Sequence, residues 1–165
     1  MTTAAYGGAV AGSRSGLAGW VGRLARVPLS LHQLLFRLGV ASVFLPAGLI
    51  KASGWQTTVA LFRDEYRVPL LPPAVAAAMA TCSELVCSTL LILGLATRLA
   101  TLPLLGMIAT IQLFVYPSAW SEHLVWGSIL LFLLTRGGGA AAVDHLIARS
   151  RDGRSHSQGG RPGLR

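Results

Sequence analysis

A run of twenty-three residues from Pro73 to Leu95, PAVAAAMATCSELVCSTLLILGL, constrains this chain more than any other stretch. It is apolar or small almost throughout and carries one charge, Glu84. As a helix rising about 1.5 Å per residue it measures roughly 34 Å, enough to cross a hydrocarbon core of about 30 Å. A carboxylate in lipid is expensive, so Glu84 must face protein or water. Ala77, Thr81, Glu84 and Ser88 fall within about 60° of one another at about 100° per residue. A small, weakly polar face of this kind lets a neighbouring helix come close. The run therefore predicts the inner face of a membrane bundle whose partners the rest of the chain supplies.

Composition agrees with a membrane solution. Of 165 residues, 53% are hydrophobic and only 12% are charged, against about 25% charged in ordinary soluble domains. Lys plus Arg number 14 and Asp plus Glu 6. Such a balance suits nucleic acid in a soluble protein. Here the basic residues cluster in the tails and between apolar segments, as membrane topology demands, so no nucleic-acid partner is expected. Cys82 and Cys87 would lie about 140° apart around a helix. They form neither a redox CxxC pair nor a zinc site.

Four spans are predicted, at about 31–50, 73–95, 99–116 and 120–135. The fold class is all-α, an integral membrane four-helix bundle over residues 31–147. Basic tails over 1–30 and 148–165 are rich in Gly, Ser and Arg and are expected to be disordered. No charged, apolar and cleavage-site regions follow one another at the start, so a cleaved signal peptide is not expected. The connection Ala52–Pro72 contains VALFRDEY, a candidate short interfacial helix, before Pro69, Pro72 and Pro73 stop it. The turn after Gly94 is short, which makes spans two and three an antiparallel hairpin. Asp144, beyond the Gly-rich turn after Arg136, suits the start of a terminal helix.

Arg37 and Lys51 lie in or directly beside the first span, and Glu84 lies within the second. Arg37, Phe44, Gly48 and Lys51 share one stripe of the first span. A buried ion pair is expected among Arg37, Lys51 and Glu84, because an unpaired charge at mid-membrane costs about 2.5–3.5 kcal/mol or more. Heights counted from the predicted span ends place Arg37 and Glu84 about 6 Å apart. Arg37 is the favoured partner, since Lys51 can snorkel to the interface. Glu84 has two readings: a structural ion-pair member, or a carboxylate that relays protons or contacts a quinone.

A second candidate collects around the loop between spans three and four. Gln112 and Tyr116 share a face at i, i+4; His123 and Trp126 share one at i, i+3. With Trp120 and Lys51 they suggest an outer pocket with aromatic walls for a quinone headgroup. The rival reading is an interfacial aromatic belt with a hydrogen-bonded helix start. His123 lacks a nearby second ligand, and His32, His145 and His156 are scattered, so no metal site is expected. No HExxH, GxSxG, Walker loop, GxGxxG or haem-attachment motif occurs. The catalytic residues are therefore unknown from motifs.

The order of segments is itself informative. RLGVASVFLPAGLIK is followed by FRDEYRVPLLPP, SELVCSTLLILGLATRLA, IQLFVYPSAWSEHLVW and a Gly-rich turn before VDHL. Together, from about Leu34 to Ile147, these resemble the DoxX family of small bacterial four-helix membrane proteins. The chain departs from the family pattern at Gly137-Gly138-Gly139, where Gly-Pro-Gly is usual, and at Ala142-Val143, where Ser-Leu is. The resemblance implies an inner-membrane protein linked to quinol oxidase or thiosulfate:quinone activity, or to thiol and oxidative stress defence. Similar forms are encoded beside small secreted metal-binding peptides. An accessory subunit of a membrane redox system is expected, with quinone as the implied cofactor and a redox protein as the implied partner. The alternative is a non-enzymatic membrane anchor, partner or small-solute passage in a metal or oxidative stress response.

Orientation follows from the cations. The first tail carries Arg14, Arg23 and Arg26, and six Arg lie from Arg136 onward. Arg98 sits in the turn between spans two and three. Arg63 and Arg67 are the only cations of the Ala52–Pro72 connection, and Pro117–Ser121 has none. Both termini are expected in the cytoplasm. Reporter fusions at Ala4, Arg67, Ser118 and Arg161 check this: cytoplasmic signals are expected at Ala4 and Arg161 and periplasmic ones at Arg67 and Ser118.

Overall fold

A computed structural model describes residues 19–23 and 26–145. Most of the two expected tails lies outside the described residues; 19–23 form one short helical turn. Helix α1 is Leu29–Ser53 and the short α2 is Trp55–Leu61, continued by a π-helical turn, Phe62–Tyr66. Helix α3 is Pro73–Leu93. Helix α4, Thr97–Thr110, runs on through a second π-helical turn, Ile111–Val115, and α5 is Trp120–Arg136. No strand occurs among the described residues. Three helices, Leu29–Ser53, Pro73–Leu93 and Thr97–Val115, are long and apolar enough to cross a membrane. Helix α5, with 17 residues, completes the bundle and reaches about 26 Å. The protein is an all-α membrane helical bundle.

The helices pack in a ring, α1 on α3, α3 on α4, α4 on α5 and α5 back on α1. Val40, Phe44, Leu91, Leu104, Leu130 and Leu133 meet at its centre. In lipid, close packing and polar satisfaction hold such a core, because lipid tails are as apolar as leucine. Small residues set the closest approach. A Cβ on Gly48 of α1 would stand 2.9 Å from the Glu84 Cβ of α3. Glycine is therefore what allows the two backbones to meet there.

A second contact fixes the register. A Cβ on Gly94 would collide with the Arg37 guanidinium and with Ala142. Gly94 is also at φ +68° and ends α3, with Leu95 N–H donating to Leu90 C=O and Gly94 N–H to Leu91 C=O. That is the pattern in which a left-handed residue satisfies the last carbonyls of a helix. Gly48 is thus level with Glu84, and Arg37 with Gly94. The helix ends on this side are not flush: α1 begins eight residues before Arg37, so it projects about 12 Å past the α3–α4 turn.

The segment after α5 folds back over that recess. Gln33 Nε2 donates to the carbonyls of Arg136 and Gly137, both at 3.1 Å. Arg37 Nη2 donates to Ala141 C=O at 3.1 Å. The Asp144 carboxylate accepts from Ala96 N–H at 2.7 Å and Thr97 N–H at 3.0 Å. Asp144 therefore caps the start of α4 across the fold, rather than serving its own terminal turn. A carboxylate there both satisfies free N–H groups and complements the positive end of the helix.

Candidate functional site

The α1–α3 register decides how the intramembrane charges pair. Lys51 lies three residues beyond Gly48, on the same stripe, so its side chain reaches Glu84 directly. Its Nζ donates to Glu84 Oε1 at 2.7 Å and Oε2 at 2.9 Å. This is the only ion pair among the described residues. The Glu84 side chain is 5% exposed and that of Lys51 19%, so the pair is shielded from solvent on the carboxylate side. Thr58 Oγ1 donates to Lys51 C=O at 3.0 Å and fastens α2 to the end of α1.

Arg37 and Glu84 do not meet, contrary to the expectation from span ends. Arg37 stands eleven residues before Gly48, about 16 Å along the helix. The expectation assumed flush helix ends; the projection of α1 moves Arg37 out of reach. Arg37 is fully buried, with Nη2 on Ala141 and no hydrogen-bond partner for Nε or Nη1 among the described residues. It closes the recess beneath the α3–α4 turn.

Of the five residues expected to form one outer pocket, only Gln112 and His123 meet. Gln112 Nε2 donates to Pro117 C=O at 2.8 Å, leaving Oε1 to accept from His123 Nδ1 at 2.6 Å. Trp126 packs edge-on against Phe44, with ring centroids 6.3 Å apart, at the margin of the core. Trp120 is exposed. Tyr116 joins none of these: its hydroxyl donates to Glu65, and its ring stands edge-on to Tyr66 at 5.8 Å. The cause is the π-helical turn. Tyr116 N–H donates to Ile111 C=O at 2.8 Å, and wider π turns rotate less per residue. Tyr116 thereby swings off the face of Gln112.

A cavity of about 380 Å³ opens instead between α3 and α4, under the Phe62–Leu71 segment. Its lining includes Met79, Gly106 and Met107, and its polar groups are Lys51, Ser83, Glu84, Thr110 and Tyr66. Among the residues singled out in the sequence, only Lys51 and Glu84 line it. Tyr66 is the residue that sequence reasoning missed as a site residue. Its one signal was the short element predicted over VALFRDEY, which does fold as α2 and its π turn.

Electrostatics at the mouth involve two phenols. Burial pushes the Tyr66 phenol up, and the Glu65 carboxylate adds to this. The Tyr116 phenol is pushed up to about 12, chiefly because the Glu65 carboxylate accepts its hydrogen bond. Both keep their protons at neutral pH.

With that geometry in view, the DoxX family model matches residues 32–117, just over half of the chain. The chain belongs to the DoxX family. The matched region contains the whole cavity lining, from Lys51 to Val115, and ends before α5. No curated protein and no solved structure matches this DoxX-family chain.

The ion pair makes a sharp mutational expectation. Removing one partner from a buried pair costs about 3–5 kcal/mol, because the survivor is left uncompensated. Lys51→Met and Glu84→Gln should each lower folded yield in membranes, and the double variant should recover part of the loss. Arg37→Leu and Glu84→Gln should add to within about 0.5 kcal/mol, as distant sites do. Folded yield by detergent-resistant gel filtration reads both cycles.

Proposed function

We propose that this protein is an accessory subunit of a membrane-linked redox system and holds a quinone in the α3–α4 cavity. The observation that carries the reading is the cavity itself: an apolar chamber within the span region, with one ion pair on its wall. Its volume of about 380 Å³ falls in the range of about 300–1,000 Å³ typical of small-molecule sites. A quinone ring needs flat apolar walls and a hydrogen-bond donor for a carbonyl. Met79 and Met107 suit the first need, as flexible polarizable side chains that mould to aromatic rings. Lys51 Nζ has three donors and uses two on Glu84. The third is available to a carbonyl oxygen, while Glu84 can accept from the hydroxyl of the reduced form.

The same reading places the protein in the bacterial cytoplasmic membrane with both termini inside, from the cation distribution and the family. The cavity then lies towards the outer half of the bundle. A soluble or membrane redox partner would exchange electrons with the bound quinone.

Gly106 supplies a clean control. It lines the cavity, and a Cβ there meets nothing within 4 Å. Gly106→Leu has room for its Cβ, and its branch should take up chamber volume. Protein purified in mild detergent is extracted with organic solvent and its quinone quantified. The wild type should carry quinone near one per chain, and Gly106→Leu about tenfold less, a loss of about 1.4 kcal/mol, at equal folded yield. A wild type free of quinone that retains a soluble protein would favour the anchoring role instead.

A further inference from the structure

The two sides of the cavity differ. Its back wall includes buried residues, Phe62 of the π turn and Ala76 and Glu84 of α3. Other lining residues are exposed, among them Met79 on α3 and Pro103 and Gly106 on α4. A residue that lines a cavity and is also exposed marks its mouth. Met79 is 56% exposed, and a Cβ on Gly106 would meet nothing within 4 Å. The lining follows one stripe of each helix, Ala76, Met79 and Ser83 on α3 and Pro103, Gly106 and Thr110 on α4. Both stripes have the three-and-four spacing of a single helical face. The mouth is therefore a lengthwise slot between the two helices.

Height decides what can reach that slot. Gly106 stands nine residues from each end of the Thr97–Val115 span, and Ser83 ten from each end of Pro73–Leu93. The slot thus reaches points about 14–15 Å from either end of the spans, at the middle of a hydrocarbon core of about 30 Å. The approach from water is covered by α2 and the Phe62–Leu71 segment. Phe62 is buried and Tyr66 half-buried, and both pack on the small core of Ala76 and Ala77. This cap is fastened at one end by Thr58 Oγ1 donating to Lys51 C=O, and at the other by the Tyr116 hydroxyl donating to Glu65.

We propose that the cavity is filled sideways from the bilayer, and that its occupant is a membrane-dissolved quinone with a hydrocarbon tail. The ring lies at the Lys51–Glu84 wall and the tail leaves between Met79 and Gly106. The inference rests on the reading of the cavity as a quinone site and names the class of quinone it takes. The charged groups of the cavity, Lys51 and Glu84, face each other at 2.7 Å on the back wall, so a polar ring is recognised there. The slot itself offers a thioether, a proline ring and bare glycine backbone. Its hydroxyl, Thr110 Oγ1, already donates to Gly106 C=O at 2.9 Å. Such a rim suits a hydrocarbon chain and gives a polar ring nothing to bond. Lipid tails are as apolar as the slot, so the chain gains little affinity by lying in it. The slot instead sets the route of entry and the orientation of the ring.

The test therefore reads the position of the tail and not its contribution to affinity. The full chain in lipid nanodiscs is given a 1,4-benzoquinone whose alkyl tail carries a diazirine near the ring, at a concentration below its Kd. Light fixes the tail to whatever it touches, and peptide mass spectrometry locates the adduct. Labelling is expected on the Met79 stripe of α3 and the Gly106 stripe of α4. It should fall about tenfold when an unlabelled tailed quinone is present at roughly ten times its own Kd. A phenyl ring on the same tail has no carbonyl to accept from Lys51, and should reduce it less than about twofold. If the quinone competes for no label anywhere on the chain, the cavity reading falls and the slot with it. Competed label on the Phe62–Leu71 cap or on α5, in place of the two stripes, overturns the sideways entry alone. Equal competition by the phenyl compound also overturns it, because the slot then holds any chain.

Discussion

The Lys51–Glu84 pair depends on a contact with no charge in it, the approach of α1 to α3 at Gly48. Only hydrogen at that position lets the Glu84 Cβ stand so close. Once the backbones touch there, the antiparallel register is set and a cation one helical turn further along α1 meets the carboxylate. Eleven residues in the other direction the same register brings Arg37 under Gly94, where a second glycine gives it room. Two glycines thus assign the two cations of α1 to different ends of the bundle. The pairing is a consequence of helix packing and not of charge attraction selecting the nearest partner.

The cavity has the same origin. Close packing of α1 on α3 leaves the end of the α3–α4 hairpin away from Gly94 to be covered by α2 and its π turn rather than by another long helix. Phe62 and Tyr66 fold over Ala76 and Ala77 to form a small second core, and Gly106 and Pro103 keep α4 from filling the space beside it. A chamber results that is apolar on most sides and polar where Lys51 and Glu84 meet. At the opposite end the recess created by the projection of α1 is filled by the chain itself, through Gln33, Arg37 and Asp144. One end of the bundle is closed by its own backbone, and the other keeps its space.

Much of the helical framework was legible in the sequence because apolar runs, prolines and glycines act locally. The run around Glu84, the hairpin at Gly94 and the short element in VALFRDEY each depend on neighbours in the chain. The need of Glu84 for a cation was legible too, since an unpaired carboxylate is costly in lipid. Which cation it takes was not, because that depends on the relative height of two helices, and span ends read from hydropathy are uncertain by a turn or more. Tyr116 illustrates a second limit. Its face was assigned at α-helical spacing, and one π turn is enough to carry it from Gln112 to Glu65. The capping of α4 by Asp144 crosses nearly fifty residues of sequence and leaves no local mark.

The most direct test of the register is the proximity of two nitrogens to one carboxylate. Solid-state NMR on the protein in bilayers, with 15N on Lys and Arg side chains and 13C on the Glu84 carboxyl carbon, measures it through dipolar dephasing. With Lys51 Nζ 2.7 and 2.9 Å from the two Glu84 oxygens, strong dephasing by a lysine nitrogen is expected, and it should vanish in Lys51→Met. Dephasing by an arginine nitrogen that vanishes in Arg37→Leu, with none from lysine, would contradict the register and the site built on it.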